Sequence, residues 1–97
     1  MTHESSLMTN LMRTIEQAAR EHGARRVTAV RVQVGALVPI APDHLRDHFE
    51  DAARGTVAEG CRMDVEVLDD PADARAQHIV VESLELETDA AENGGIG

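Results

Sequence analysis

The stretch Val27-Thr28-Ala29-Val30-Arg31-Val32-Gln33-Val34-Gly35 sets the architecture of this chain. Val30, Val32 and Val34 alternate with Arg31 and Gln33, so an extended backbone carries one apolar and one polar face, as a half-buried strand requires. Gly35 stops it. A strand patterned this way must bury its valine face against other elements, and the flanking segments supply them.

Upstream, from Ser5 to His22, the apolar positions Leu7, Met8, Leu11, Met12, Ile15, Ala18 and Ala19 recur at three- and four-residue steps. Arg13, Glu16, Gln17, Arg20 and Glu21 stand opposite, which is the pattern of an amphipathic helix. Ser5 or Ser6 is expected to cap its start and Gly23 to end it in the left-handed conformation. Downstream, Ala36 to Pro42 holds two prolines and reads as a loop. It leads to a second helix from about Asp43 to Arg54, with Leu45, Phe49, Ala52 and Ala53 as a narrow apolar stripe. After Gly55 and Gly60, the residues Cys61, Met63, Val65 and Val67 alternate with Arg62, Asp64 and Glu66 as a second strand. Asp69 to Gln77 is polar, contains Pro71 and reads as a connection. Ile79 to Glu87 forms a third strand with Leu84 and Leu86 inward.

The predicted order is helix, strand, helix, strand, strand: an α/β (α+β) fold with two helices on one face of a mixed three-stranded sheet. The middle strand-helix-strand unit implies a parallel pair with a right-handed crossover, and the short last connection an antiparallel pair. Residues 1–87 form one domain. Residues 88–97 are acidic and Gly-rich and are expected to be a disordered tail.

Composition narrows the partners. The chain has 97 residues, and Leu, Ile, Val and Phe make up 22 of them, enough for a single modest core. There is no Trp or Tyr, Phe49 is the only aromatic, and the net charge is −9, so stacking platforms for nucleic acid are missing and phosphate is repelled. Neither nucleic acid nor a membrane is an expected partner. One cysteine, Cys61, permits no internal disulfide and no zinc site of paired Cys-x-x-Cys motifs. The opening MTHESSLMTNLMR lacks the features of a secretion signal, no apolar run approaches a membrane span, and a cytoplasmic protein is expected.

The N-terminus carries the clearest chemistry. A free α-amine, the following backbone amides and a nearby imidazole can wrap a divalent ion in fused chelate rings, an arrangement that suits nickel(II) and copper(II). With Met1 retained, Met1-Thr2-His3 offers four nitrogens and closes the square. With Met1 removed, as the small Thr2 favours, His3 is second in the chain. Three nitrogens then bind, a fourth position stays open, and Glu4 is placed to add an oxygen or its amide. From position alone, a solvated terminal histidine is the more ordinary reading of His3.

Several ordered segments resemble the HypA/HybF hydrogenase nickel-insertion proteins. They are His3-Glu4-Ser5-Ser6-Leu7, Glu21-His22-Gly23-Ala24-Arg25-Arg26-Val27-Thr28-Ala29-Val30, Val34-Gly35-Ala36 and Gly55-Thr56-Val57-Ala58-Glu59-Gly60-Cys61, with Ser83-Leu84-Glu85-Leu86-Glu87 as the closing strand. The resemblance implies a nickel site at the terminal amine and His3, with Thr2 supplying the amine after loss of Met1 and Glu4 as the matching neighbour. It implies nickel delivery to the large subunit of a nickel-iron hydrogenase, alongside a HypB-type GTPase. Two departures stand out. Thr2 is inserted before the histidine, and the zinc module that family members carry between the second and third strands is replaced by the segment Asp69 to Gln77. No zinc is therefore expected.

The remaining candidates are weaker. His44 and His48 lie four apart on the second helix, a spacing that can chelate a metal, although histidines beside Asp47 and Glu50 more often form a solvated face. Asp43 and His44 fall where the family often places an auxiliary metal group. Cys61 reads as a buried structural thiol. His22 and His78 flank loops and receive no role, and the acidic excess from Asp64 to Glu92 reads as a solvated rim. No nucleophile with a base and no carboxylate pair stands out, so an enzyme is not expected. Two readings remain: a nickel metallochaperone, or a metal-free interaction module acting in hydrogenase assembly. The oligomeric state is left open, a homodimer included, because so small a core can depend on a partner.

Overall fold

The computed structural model describes residues 3–88, with side chains described for residues 7–88. The elements run α1 (His3–Glu21), β1 (Ala24–Val34), α2 (Pro42–Ala53), β2 (Arg62–Val67) and β3 (Ile79–Thr88). The sheet order is β2-β1-β3, with β1 parallel to β2 and antiparallel to β3. This is the mixed sheet expected from the sequence. Of the expected tail, Thr88 closes β3 and the rest lies outside the described residues.

The valine face of β1 is the floor of the core. Val32 is 0% and Val34 2% exposed, with Ile15 of α1 and Leu45 and Phe49 of α2 packed in the same cluster. α1 lies over β1 and β3, while α2 sits against β2 and α1. At the end of α1, Gly23 adopts φ +64°, and the amides of His22 and Gly23 donate to the carbonyls of Ala18 and Arg20 at 3.1 Å each. Only glycine takes that left-handed conformation without a Cβ penalty.

Some boundaries differ from expectation. α1 starts at His3, so Ser5 and Ser6 lie inside its first turn and neither is the capping residue. Apolar periodicity begins only at Leu7 and cannot locate a polar first turn. Pro42 is the first residue of α2 rather than the last of the loop, a position where its missing N–H would have had no helical acceptor in any case. Cys61 precedes β2, and its amide donates to Ala58 O at 3.0 Å in the turn before the strand. Val67 pairs with Val34 but is 54% exposed, so the inner face of β2 is covered less fully than its alternation suggests.

β1 also begins three residues earlier than its alternation indicates. The register with β3 slips between Val27↔Leu86 and Ala29↔Glu85, leaving Thr28 as an extra residue whose hydroxyl donates to Glu85 O at 3.1 Å. The slip lets Val27 and Val30, three apart, both enter the core, at 0% and 1% exposure. On the outer face Ala29 is only 5% exposed, because its two neighbours Arg62 and Glu85 meet across it at 3.9 Å. Beside it, Arg31 Nε donates to Glu82 Oε1 at 2.7 Å and Gln33 Nε2 to Glu66 Oε1 at 3.2 Å.

The connection from β2 to β3 is fastened to the end of β1. The Leu68 amide donates to Val34 O at 2.8 Å, that of Gly35 to His78 O at 2.9 Å, and that of Leu37 to Ala76 O at 2.8 Å. Ala76 is thereby buried at 4% exposure. Gly35 is required by this approach: a Cβ there would land on the carbonyl oxygens of Arg75 and Ala76.

Candidate metal centre

The first turn of α1 is where the sequence places the chemistry. Thr2 lies outside the described residues, and His3 and Glu4 open α1 with only their backbone described. The first four N–H groups of a helix have no intrahelical acceptor, so the amides of His3 and Glu4 belong to the set that no helical bond engages. A terminal amine and such amides are the donors that an amine–amide–imidazole chelate uses.

Further along α1, Leu7, Asn10, Leu11 and Thr14 line a cavity of about 130 Å³ together with His78, Ile79 and Val81. His78 thus stands on a wall shared with the N-terminal half of α1. Sequence reading gave His78 no role, and no local pattern could have found it. Its placement follows from β3 lying antiparallel to β1 beneath α1, a long-range consequence of topology.

On α2 the structure brings His44 and His48 together and leaves Asp43 apart from them. The two exposed imidazoles have ring centroids 4.8 Å apart, tilted by 35°. The Asp43 carboxylate accepts from Arg46 Nη1 at 3.0 Å. Among the described residues, no three of His, Cys, Asp and Glu are grouped so as to hold a metal ion.

Cys61 lines a second cavity of about 170 Å³ with Phe49, Ala58 and Met63. It is half-buried rather than buried, and its thiol donates to Arg62 O at 3.3 Å. Burial pushes the thiol up to about 11, with Arg62 pulling the other way. The group is protonated at neutral pH, which makes it a poor metal ligand and nucleophile and fits the structural role expected of it. His22 follows the last residue of α1, and its amide is spent on ending that helix.

The matches to known proteins agree with this architecture. A family model described as "HypA: Hydrogenase/urease nickel incorporation, metallochaperone, hypA" matches residues 1–82. The hydrogenase maturation factor HypA of Archaeoglobus fulgidus is 40% identical over 65 residues, covering 67% of this chain and 59% of that protein. Its counterpart from Escherichia coli is 41% identical over 64 residues, covering 66% of this chain and 55% of that protein. The chain therefore matches less than two-thirds of the length of these relatives. The solution structure of the Ni metallochaperone HypA from Helicobacter pylori aligns with a TM-score of 0.74 over 91% of this chain and 100% of that one, and at 16% identity it speaks to the fold alone. With the family model spanning residues 1–82 and the helix-strand-helix-strand-strand order in place, the chain belongs to the HypA family.

Proposed function

We propose that this protein is a cytoplasmic nickel metallochaperone. It binds nickel(II) at its N-terminus through the Thr2 amine and His3, with Glu4 adjacent, and passes the ion on during maturation of a nickel-iron hydrogenase. The observation that carries the reading is the family match, which begins at residue 1 and so includes the terminal histidine. Removal of Met1 puts His3 second and leaves one in-plane position open, and an open position lets an ion be passed on. The start of α1 at His3 supports the same site, because the amides needed for the chelate are not engaged within the helix.

Nickel is cargo here, and the protein performs no catalysis of its own. A single cysteine leaves no thiolate set for structural zinc. A HypB-type GTPase and the hydrogenase large subunit are the proposed partners, with the exposed helix faces and sheet edges as docking surfaces. Among the described residues, no helix is long and apolar enough to cross a membrane.

The test is a nickel(II) titration of untagged protein followed by visible absorption, with His3→Ala beside it and the intact mass recorded. Binding of one equivalent with a planar-nickel band that vanishes in His3→Ala supports the site, and the mass says whether Thr2 or Met1 provides the amine. Absence of that band, or a band indifferent to His3→Ala, overturns the N-terminal site and leaves an interaction module in hydrogenase assembly as the better reading.

A further inference from the structure

The α2 histidine pair calls for its own account. We infer that His44 and His48 form a two-imidazole chelating site for a divalent late-transition cation, of the nickel(II), copper(II) and zinc(II) class, on the exposed face of α2.

Residues four apart on a helix are neighbours on its surface. Here the rings have already met, with centroids 4.8 Å apart and a 35° tilt. Metal–imidazole bonds are about 2.0–2.1 Å, so two nitrogens on adjacent coordination positions stand roughly 3 Å apart. Rings at this separation reach that spacing by side-chain rotation alone.

The backbone beneath is held in place. Leu45 and Phe49, each next in sequence to one of the histidines, are buried at 1% and 2% exposure. The chelate therefore needs no movement of α2, and no ordering of backbone opposes binding.

Charge favours a cation. α2 carries Asp43, Asp47, Glu50 and Asp51 against Arg46 alone. Arg46 and, just beyond the helix, Arg54 are each paired with a carboxylate, Asp43 and Asp51, at 3.0 Å. The carboxylates thus outnumber and offset the positive charge on this helix, which favours a cation.

Ligand type sets the class of ion. Imidazole suits zinc, copper and nickel, whereas magnesium and calcium demand oxygen donors. No third ligating group joins the pair among the described residues, so water fills the other positions. The ion held there exchanges readily, in contrast to a closed nitrogen square.

The site is tested on untagged full-length protein with nickel(II) chloride, by calorimetry and by imidazole ring resonances in two-dimensional NMR. Wild type is expected to show a weaker binding step, with the His44 and His48 resonances broadened by paramagnetic, water-completed nickel. His44→Gln and His48→Gln should each abolish that step, with the circular dichroism unchanged because both positions are exposed. His3→Ala should leave the step intact, so its survival or loss separates this site from the N-terminal one. The inference is overturned if no weaker step exists, if it persists in either glutamine variant, if His3→Ala removes it, or if magnesium chloride perturbs the same resonances equally.

Discussion

Arg75 grips Asp73 with two parallel hydrogen bonds, Nε to Oδ1 at 2.9 Å and Nη2 to Oδ2 at 2.8 Å, while its third nitrogen reaches Gln33 Oε1 at 2.7 Å. The same carboxylate accepts the Arg75 backbone amide at 2.7 Å. One short loop motif thus joins the β2–β3 connection to the outer face of β1.

These bonds hold the Asp73 carboxyl down at about 2, below its ordinary 3.8, the side-chain bonds from Arg75 being the largest cause. A depressed carboxylate contributes stability that is complete above the ordinary value and disappears as pH falls through the folded one. Thermal melting followed from pH 5 down to about 2 should therefore show a loss that is smaller in Asp73→Asn. Identical acid profiles for the two proteins would mean that the grip adds nothing to folding.

Gly35→Ala should destabilise the fold, because the new methyl meets the Arg75 and Ala76 carbonyl oxygens. Relief requires the connection to lift from β1, and overpacking of this kind typically costs about 1–3 kcal/mol. The urea midpoint is the readout, and an unchanged midpoint would contradict the close approach.

Ile15 is 0% exposed between α1 and the sheet. Ile15→Val should lose about 0.5–1.5 kcal/mol and Ile15→Ala about 2–5 kcal/mol, the larger value reflecting the cavity left behind. Chemical denaturation of both variants checks the order, and near-equal losses would mean that the site collapses freely.

Cys61 should react slowly with iodoacetamide. A thiol raised to about 11 from 9.0 has roughly a hundredfold smaller thiolate fraction near pH 8 than an ordinary cysteine. The alkylation rate should climb about tenfold per pH unit through pH 9.5 without levelling. A plateau below pH 9 would show that burial does not control this group.

Most of the fold was legible because its signals are local. The Val30–Val32–Val34 alternation, the α1 stripe and Gly23 each act within a few residues, and each appears in the structure where expected. What escaped was set by partners distant in sequence. The first residues of β1 include the consecutive charged pair Arg25 and Arg26, which shows no alternation, yet they are strand because β3 is long enough to pair with them. The extra residue at Thr28 is likewise visible only against Glu85.

The same division runs through the candidate sites. His3 is conspicuous because chain position alone makes its chemistry, and the His44–His48 spacing fixes a shared helix face whatever the tertiary structure. His78 reaches α1 only through the folding of β3 beneath it, so no reading along the chain could bring them together.

The two ends of the β2–β3 connection are tied to the last residue of β1 and the one after it, Leu68 to Val34 and His78 to Gly35. Both terminals are consequently held at the end of β1, one on each side of it, while Arg75 and Ala76 fasten the last part of the connection to the sheet. Doubling the length of such a closed loop adds only about 0.6 kcal/mol of closure entropy. A folded insert placed across those terminals would behave as an interchangeable component, gained or lost in evolution without the register of the three strands recording the event.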